Sequence, residues 1–337
     1  MLSLKSGFVF LVSVAILALS APIVERADSS LVGYLFVHFY DREPSIFLHL
    51  SNGNNEGSFR TLNNDAAILK PTVGTRGARD PHLVSSPDNA RHYIIATDLD
   101  ISAIGNNWGQ AVTHGSRGII VWESTDLVNW GSERLVTVAN SSAGMVWAPE
   151  AIWDSNKGQY LVHWSSRYYA NSDTNHTGTA GLDTIMYAYT SDFKTFTKEQ
   201  VYFASSSAPL IDMTLLPLGG SSYARFWKDE SLLRVAEERS TNGIFGPWSR
   251  VPNANTWVAD VVEEGPLAFL DNAVAGKVHL FLDEYTTAKG YVPLETSDIN
   301  GGVFTASSTI NFPKLLKHGV VKPLTQAQYD TISAKYP

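Results

Sequence analysis

Cysteine is absent from the chain, so no disulfide can staple it and burial alone has to hold the fold. At 337 residues with 44% hydrophobic content, it is long enough to bury a sizeable core without that help. Long basic runs are missing too, and the formal net charge is -8. Both facts argue against nucleic acid or an anionic membrane surface as a partner. Beyond the N-terminus no apolar run approaches the ~20 residues that a spanning helix needs. Helical periodicity is scarce as well, confined to the first residues and to LTQAQYDTISAKYP at the other end.

What the chain does have begins with MLSLKSGFVFLVSVAILALSAP. Lys5 precedes an apolar run from Gly7 to Leu19, and small residues follow at Ser20 and Ala21, the three-part pattern of a secretory signal peptide. The expected organisation is a signal peptide over residues 1–21, a short linker over 22–30 and a single domain over 31–337, in a secreted, extracellular monomer. Asn140-Ser141-Ser142 and Asn175-His176-Thr177 are N-glycosylation sequons and place their segments in surface loops of a glycoprotein.

After Leu31 the segments alternate or run apolar over four to eight residues, rich in Val, Ile, Phe, Tyr and Trp, with Gly, Asn, Asp and Ser between them. That is an all-β pattern. One unit returns through it: a strand, a Ser or Thr with a small polar turn, and an aromatic a few residues on. Its copies centre on Ser51, Ser124, Ser191, Ser240 and Ser297. Ahead of the last four come two further strands, the first opening on an acid: RDPHLV at Asp80, WAPEAIW at Glu150, IDMTLL at Asp212 and EGPLAFL at Glu264. A multi-strand unit repeating every ~40–50 residues, lengthened by loops, is the sequence form of a β-propeller blade.

The first copy has only GYLFVHFY before it, and the opening strand it lacks stands at the other end of the chain as KHGVVKPL around His318. The expected fold is therefore a five-bladed β-propeller whose C-terminal strand pairs with the N-terminal blade. Closure of that kind removes the open sheet edge. In such a ring the inner strands converge on a central channel, so Asp80, Glu150, Asp212, Glu264 and His318 are expected to meet at one mouth. Carboxyls crowded there should have raised and separated pKa values, as acid/base chemistry requires.

Taken in order, RDPHLV, WAPEAIW, IDMTLL, EGPLAFL and KHGVV resemble the successive inner-strand motifs of glycoside hydrolase family 43, and the match spans essentially everything after the expected signal peptide. The resemblance implies an inverting glycosidase in which Asp80 is the general base, Glu264 the general acid, and Asp212 holds Glu264 and raises its pKa. It implies no cofactor for the chemistry and a histidine of the last inner strand in a central metal site, transferred here to His318 with structural calcium as the ion. Around the acids, Trp147, Trp108, Trp164, Phe226 and Trp227 are candidates to stack on a sugar and Arg225 to bond its hydroxyls; Trp147, Arg225 and Phe226 are assigned to substrate. The expected partner is a polysaccharide or oligosaccharide, and the expected activity an exo-acting α-L-arabinofuranosidase. β-D-Galactofuranosidase, β-xylosidase and exo-β-1,3-galactanase are alternatives on the same scaffold. A non-catalytic carbohydrate-binding propeller is the alternative from another class, and it has no need of three acids at the openings of its inner strands.

Overall fold

Segments such as YLFVHFY, HYIIATD and YLVHWSS are buried along their whole length. They form strands with a neighbouring sheet packed against each face, and so lose the usual alternation of apolar and polar residues. A computed structural model describes residues 27–251, 257–259 and 261–337. The expected signal peptide and the start of the linker lie outside the described residues.

Five four-stranded sheets make up the protein, each antiparallel. In four of them the strands follow chain order, starting from the inner strands Ala78–Ser85, Trp147–Asp154, Leu210–Pro217 and Glu264–Leu270, which open blades 2 to 5. Blade 1 is composite, as expected. Its inner strand, Lys317–Thr325, pairs with Leu31–Tyr40 in a register that sets Leu324 opposite Gly33 and Lys317 opposite Phe39.

Five apolar clusters, one between each pair of neighbouring blades, bind the ring. Within Tyr93–Ala96, for example, Ile94 and Ala96 face blade 1 while Tyr93 and Ile95 face blade 3, because successive side chains of a strand point to opposite faces. The seam between blades 5 and 1 is aromatic, with Tyr34, Phe36, Phe269 and Phe281 among its members. The turn side chains recur in every blade, but two stand one residue earlier than expected: Thr190 Oγ1 accepts from Phe193 N and Thr296 Oγ1 from Asp298 N, in the places held by Ser124 and Ser240 in their blades. The helix Gln326–Lys335, capped by Thr325 and Gln328, sends Ile332 and the following Tyr336 into the cluster between blades 1 and 2.

Gly319, in the closing strand, lies so near blade 1 that an added Cβ would stand 2.1 Å from the Val37 carbonyl oxygen and 2.9 Å from His38 Cα. Both are backbone atoms inside a paired strand and cannot turn aside. Gly319→Ala is expected to cost about 2–3 kcal/mol by overpacking. An unchanged denaturation midpoint would contradict this close approach.

Candidate active site

Every inner strand breaks register with its neighbour at the same level: between Arg79 and His82, Trp147 and Glu150, Ile211 and Thr214, Glu264 and Leu267, and Lys317 and Val320. These are β-bulges, which re-aim side chains. Asp80, Ala148, Asp212 and Gly265 occupy them at φ of 49°, 47°, 52° and 53°, and His318 holds the corresponding place in blade 1. The register corrects one expectation. Asp80 and Asp212 are equivalent, but Glu264 stands one residue before its bulge and Glu150 two residues after.

The bulges build the site from three positions per blade. The residues before them are Arg79, Trp147, Ile211, Glu264 and Lys317, and those paired opposite on the second strands are Thr97, Ser165, Lys228, Asp283 and Phe39. Nearly all of these, together with Asp80, Asp212 and His318, line one cavity of about 380 Å³. Backbone N–H groups at the bulges dock on the preceding blade. Ala148 N donates to Thr97 Oγ1 at 2.8 Å, Asp212 N to Ser165 Oγ at 3.1 Å, Gly265 N to Asp212 Oδ2 at 3.1 Å and Gly319 N to the Tyr291 hydroxyl at 2.9 Å. Asp212 thus fixes the backbone immediately after Glu264.

The three expected acids meet in this cavity. Asp80 accepts from Thr97 Oγ1 at 2.8 Å and faces His318 Nδ1 at 3.6 Å. Glu264 accepts from Lys228 Nζ at 3.0 Å, and that ammonium also pairs with Glu230 at 2.6 Å. Burial pushes Asp212 well above the ordinary aspartate value; Glu264 and Asp80 add to the rise and Lys228 opposes it. Burial also lifts Asp283 to about 7, against the pull of Lys317, whose Nζ lies 3.0 Å away. The imidazole of His318 is depressed by burial, partly offset by Asp80, Asp283 and Glu264.

Trp147 lines the cavity as expected, set edge-to-face with the exposed Trp108 at 6.0 Å. Two substrate assignments do not survive. Phe226 is fully buried in the cluster between blades 4 and 5. Arg225 points to the opposite face, where its Nε donates to Glu238 at 2.6 Å and its guanidinium lies 3.9 Å above Phe203. Trp164 and Trp227 are core residues. Glu150 lies away from the cavity, with His82 Nδ1 at 3.7 Å, and burial pushes it well above the usual range. Sequence reading missed Lys228, Asp283, Lys317, Phe39 and Tyr285, all cavity-lining. The first two stand opposite the residue before a bulge, a place that only the strand register reveals.

Residues 29–330 match the sequence profile of a family of glycosyl hydrolase 43-related domains, described as a probable glycosyl hydrolase domain. The chain belongs to that family. Its domain is of the glycosyl hydrolase 43-related kind and is built as a five-bladed propeller. A curated relative, the α-L-arabinofuranosidase of Bifidobacterium longum subsp. longum, is 36% identical over 188 residues, which is 52% of this chain and 17% of that protein. The chain thus covers well under two thirds of that relative's length. Among solved structures, the catalytic domain of the Coprinopsis cinerea GH62 α-L-arabinofuranosidase superposes with TM-score 0.50 at 13% identity over 77% of each chain. A thermostable family-43 glycoside hydrolase gives 0.48 at 18% identity, over 74% of this chain and 77% of its own. At 13% identity the likeness to the Coprinopsis cinerea domain speaks for the fold alone.

The channel cation implied for His318 would have that imidazole as its protein ligand and would draw most of its remaining ligands from water. Hard cations take six or more oxygens. Among the described residues, no three His, Asp or Glu donors around His318 come close enough together to share an ion.

Proposed function

We propose that the protein is an exported, inverting exo-glycosidase that removes terminal α-L-arabinofuranosyl units from polysaccharide side chains. The observation that carries the reading is the meeting of Asp80, Asp212 and Glu264 in one cavity of about 380 Å³. That volume is near the lower end of the ~300–1,000 Å³ range of small-molecule sites and suits one sugar ring better than a chain running through. Glu264 protonates the leaving oxygen, Asp80 deprotonates the attacking water, and Asp212 keeps Glu264 oriented through Gly265 N. Trp147 offers an apolar face for the ring. The choice of arabinofuranose rests on the relative in Bifidobacterium longum.

The blade order supports inversion. Asp80 belongs to blade 2 and Glu264 to blade 5, with His318 of blade 1 between them on the shorter way round. Retaining enzymes need their carboxyls only ~5–5.5 Å apart, whereas inverting pairs leave room for a water at ~6.5–9.5 Å. The nitrophenyl α-L-arabinofuranoside should be the best substrate in a panel with the β-D-galactofuranoside, β-D-xyloside and β-D-galactoside. Proton NMR in the first minutes should show the opposite anomer. Another preferred sugar would overturn the specificity, and a retained anomer would overturn the roles of Asp80 and Glu264.

A further inference from the structure

At the seam between blades 5 and 1, far in sequence from the cavity-lining acids of blades 2 and 4, a second group of ionisable side chains has no part in the glycosidase site. His279 stands on the second strand of blade 5, directly opposite Glu295 on the third, and Glu56 reaches it from the outer strand of blade 1. The imidazole is fully buried. Its Nε2 lies 2.8 Å from Asp271 Oδ2, a contact that calls for the proton on Nε2, which in the neutral ring leaves the Nδ1 lone pair free. Nδ1 has no hydrogen-bond partner. It points at two carboxylate oxygens, Glu56 Oε1 and Glu295 Oε2, each 4.0 Å away.

A lone pair facing two anions, with no donor among them, is unfavourable when buried and calls for a positive centre between the three. Lys277 partly answers this. Its Nζ lies 3.0 Å from Glu295 and 3.5 Å from Glu56, but it leaves Nδ1 unpartnered, and one ammonium stands against three carboxylates. Glu56, Asp271 and His279 offer donor atoms that all lie within 4.8 Å of one another, the one such group among the described residues, and Glu295 stands just outside it.

We propose that this cluster is a site for a borderline divalent cation of the zinc class, bound by His279 Nδ1 and Glu56, with Glu295 drawn in from its pairing with Lys277 as the third ligand. Asp271 orients the ring from behind, as a carboxylate commonly does for a metal-bound histidine. Mixed nitrogen and carboxylate ligands favour zinc over calcium. Zinc bonds of ~2.0–2.1 Å imply nitrogen-to-oxygen separations of about 3.3 Å, so the carboxylates close in by roughly 0.7 Å while Lys277 swings toward solvent. The ion would join strands from opposite ends of the chain where the ring closes. Nothing in this rests on the sugar specificity or the anomeric outcome.

Calorimetric titration of the metal-stripped full chain with zinc chloride tests the proposal. One site is expected, lost in His279→Gln and in Glu56→Gln and tightened at least about threefold in Lys277→Gln, which removes the competing ammonium. Zinc at a hundredfold excess over Kd should raise Tm on the order of 3–5 °C, and calcium should not. Glu56, on an outer strand, serves as the informative variant if His279→Gln fails to fold. Stoichiometric binding that survives Glu56→Gln would assign the zinc to surface histidines and overturn the site. So would the absence of binding below about 0.1 mM, or a Lys277→Gln variant with unchanged affinity.

Discussion

Glu264→Gln is expected to reduce turnover of an unactivated arabino-oligosaccharide by a hundredfold or more, with little change in Tm. The change keeps the side chain's shape and an oxygen to accept from Lys228 Nζ, but removes the proton that the leaving oxygen needs. General acid or base groups contribute typically ~10²–10⁴-fold, and a hundredfold loss corresponds to about 2.7 kcal/mol of barrier. Asp80→Asn and Asp212→Asn should fall in the same range. Asparagine is among the non-glycine residues most tolerant of positive φ, so the bulges at 49° and 52° survive the change. An activated nitrophenyl leaving group separates the roles. It should restore much of the rate of Glu264→Gln and little of that of Asp80→Asn, whose water still lacks a base. Glu150→Gln, away from the cavity, should change turnover far less. Equal sensitivity of Glu150 and Glu264 would show that the wrong carboxyls had been placed against the sugar.

Ending the chain at Leu316 should abolish cooperative folding. The lost segment supplies the inner strand of blade 1, the helix Gln326–Lys335 and the buried Ile332 and Tyr336. It also carries the pairing from Thr325 opposite Leu31 to Lys317 opposite Phe39. Without it, Leu31–Tyr40 becomes an unpaired edge composed largely of aromatic and aliphatic residues, an invitation to edge-to-edge association. Thermal melts followed by near-UV circular dichroism should lose their sigmoid, and gel filtration should show aggregates. A monodisperse truncated protein with an unchanged melt would mean that ring closure does little for stability.

How much of this could be read beforehand depended on which period carried the information. Five blades and the composite first blade were legible because strand and turn recur at blade spacing, and KHGVVKPL was an inner strand without its blade. The gathering of Asp80, Asp212 and Glu264 was legible for the same reason. The register was not. A bulge inserts one residue and reverses which way everything after it points, and in strands buried on both faces no polar alternation betrays the change. Treating Glu150 and Glu264 as partners of Asp80 ignored those offsets, although setting RDP, WAP, IDM, EGP and KHG one above another aligns Asp80, Ala148, Asp212, Gly265 and His318. Arg225 and Phe226 failed for a related reason. Adjacent residues in the middle of a second strand face the two neighbouring blades, so neither reaches the channel. Lys228, paired opposite Ile211 beside the bulge, does.

The three cavity-facing positions repeated around the ring amount to a set of addresses. Each is defined by a blade and by a place before, at or opposite the bulge, and in blades 3, 4, 5 and 1 the backbone at or beside the bulge is tied to the preceding blade through a hydrogen bond such as that from Ala148 N to Thr97. Side chains can therefore be exchanged at one address while the others keep their coordinates. Here Ile211 and Glu264, an apolar residue and an acid, occupy the same place on adjacent blades. A scaffold organised in this way lets substrate preference drift one address at a time without rebuilding the frame that holds the acids.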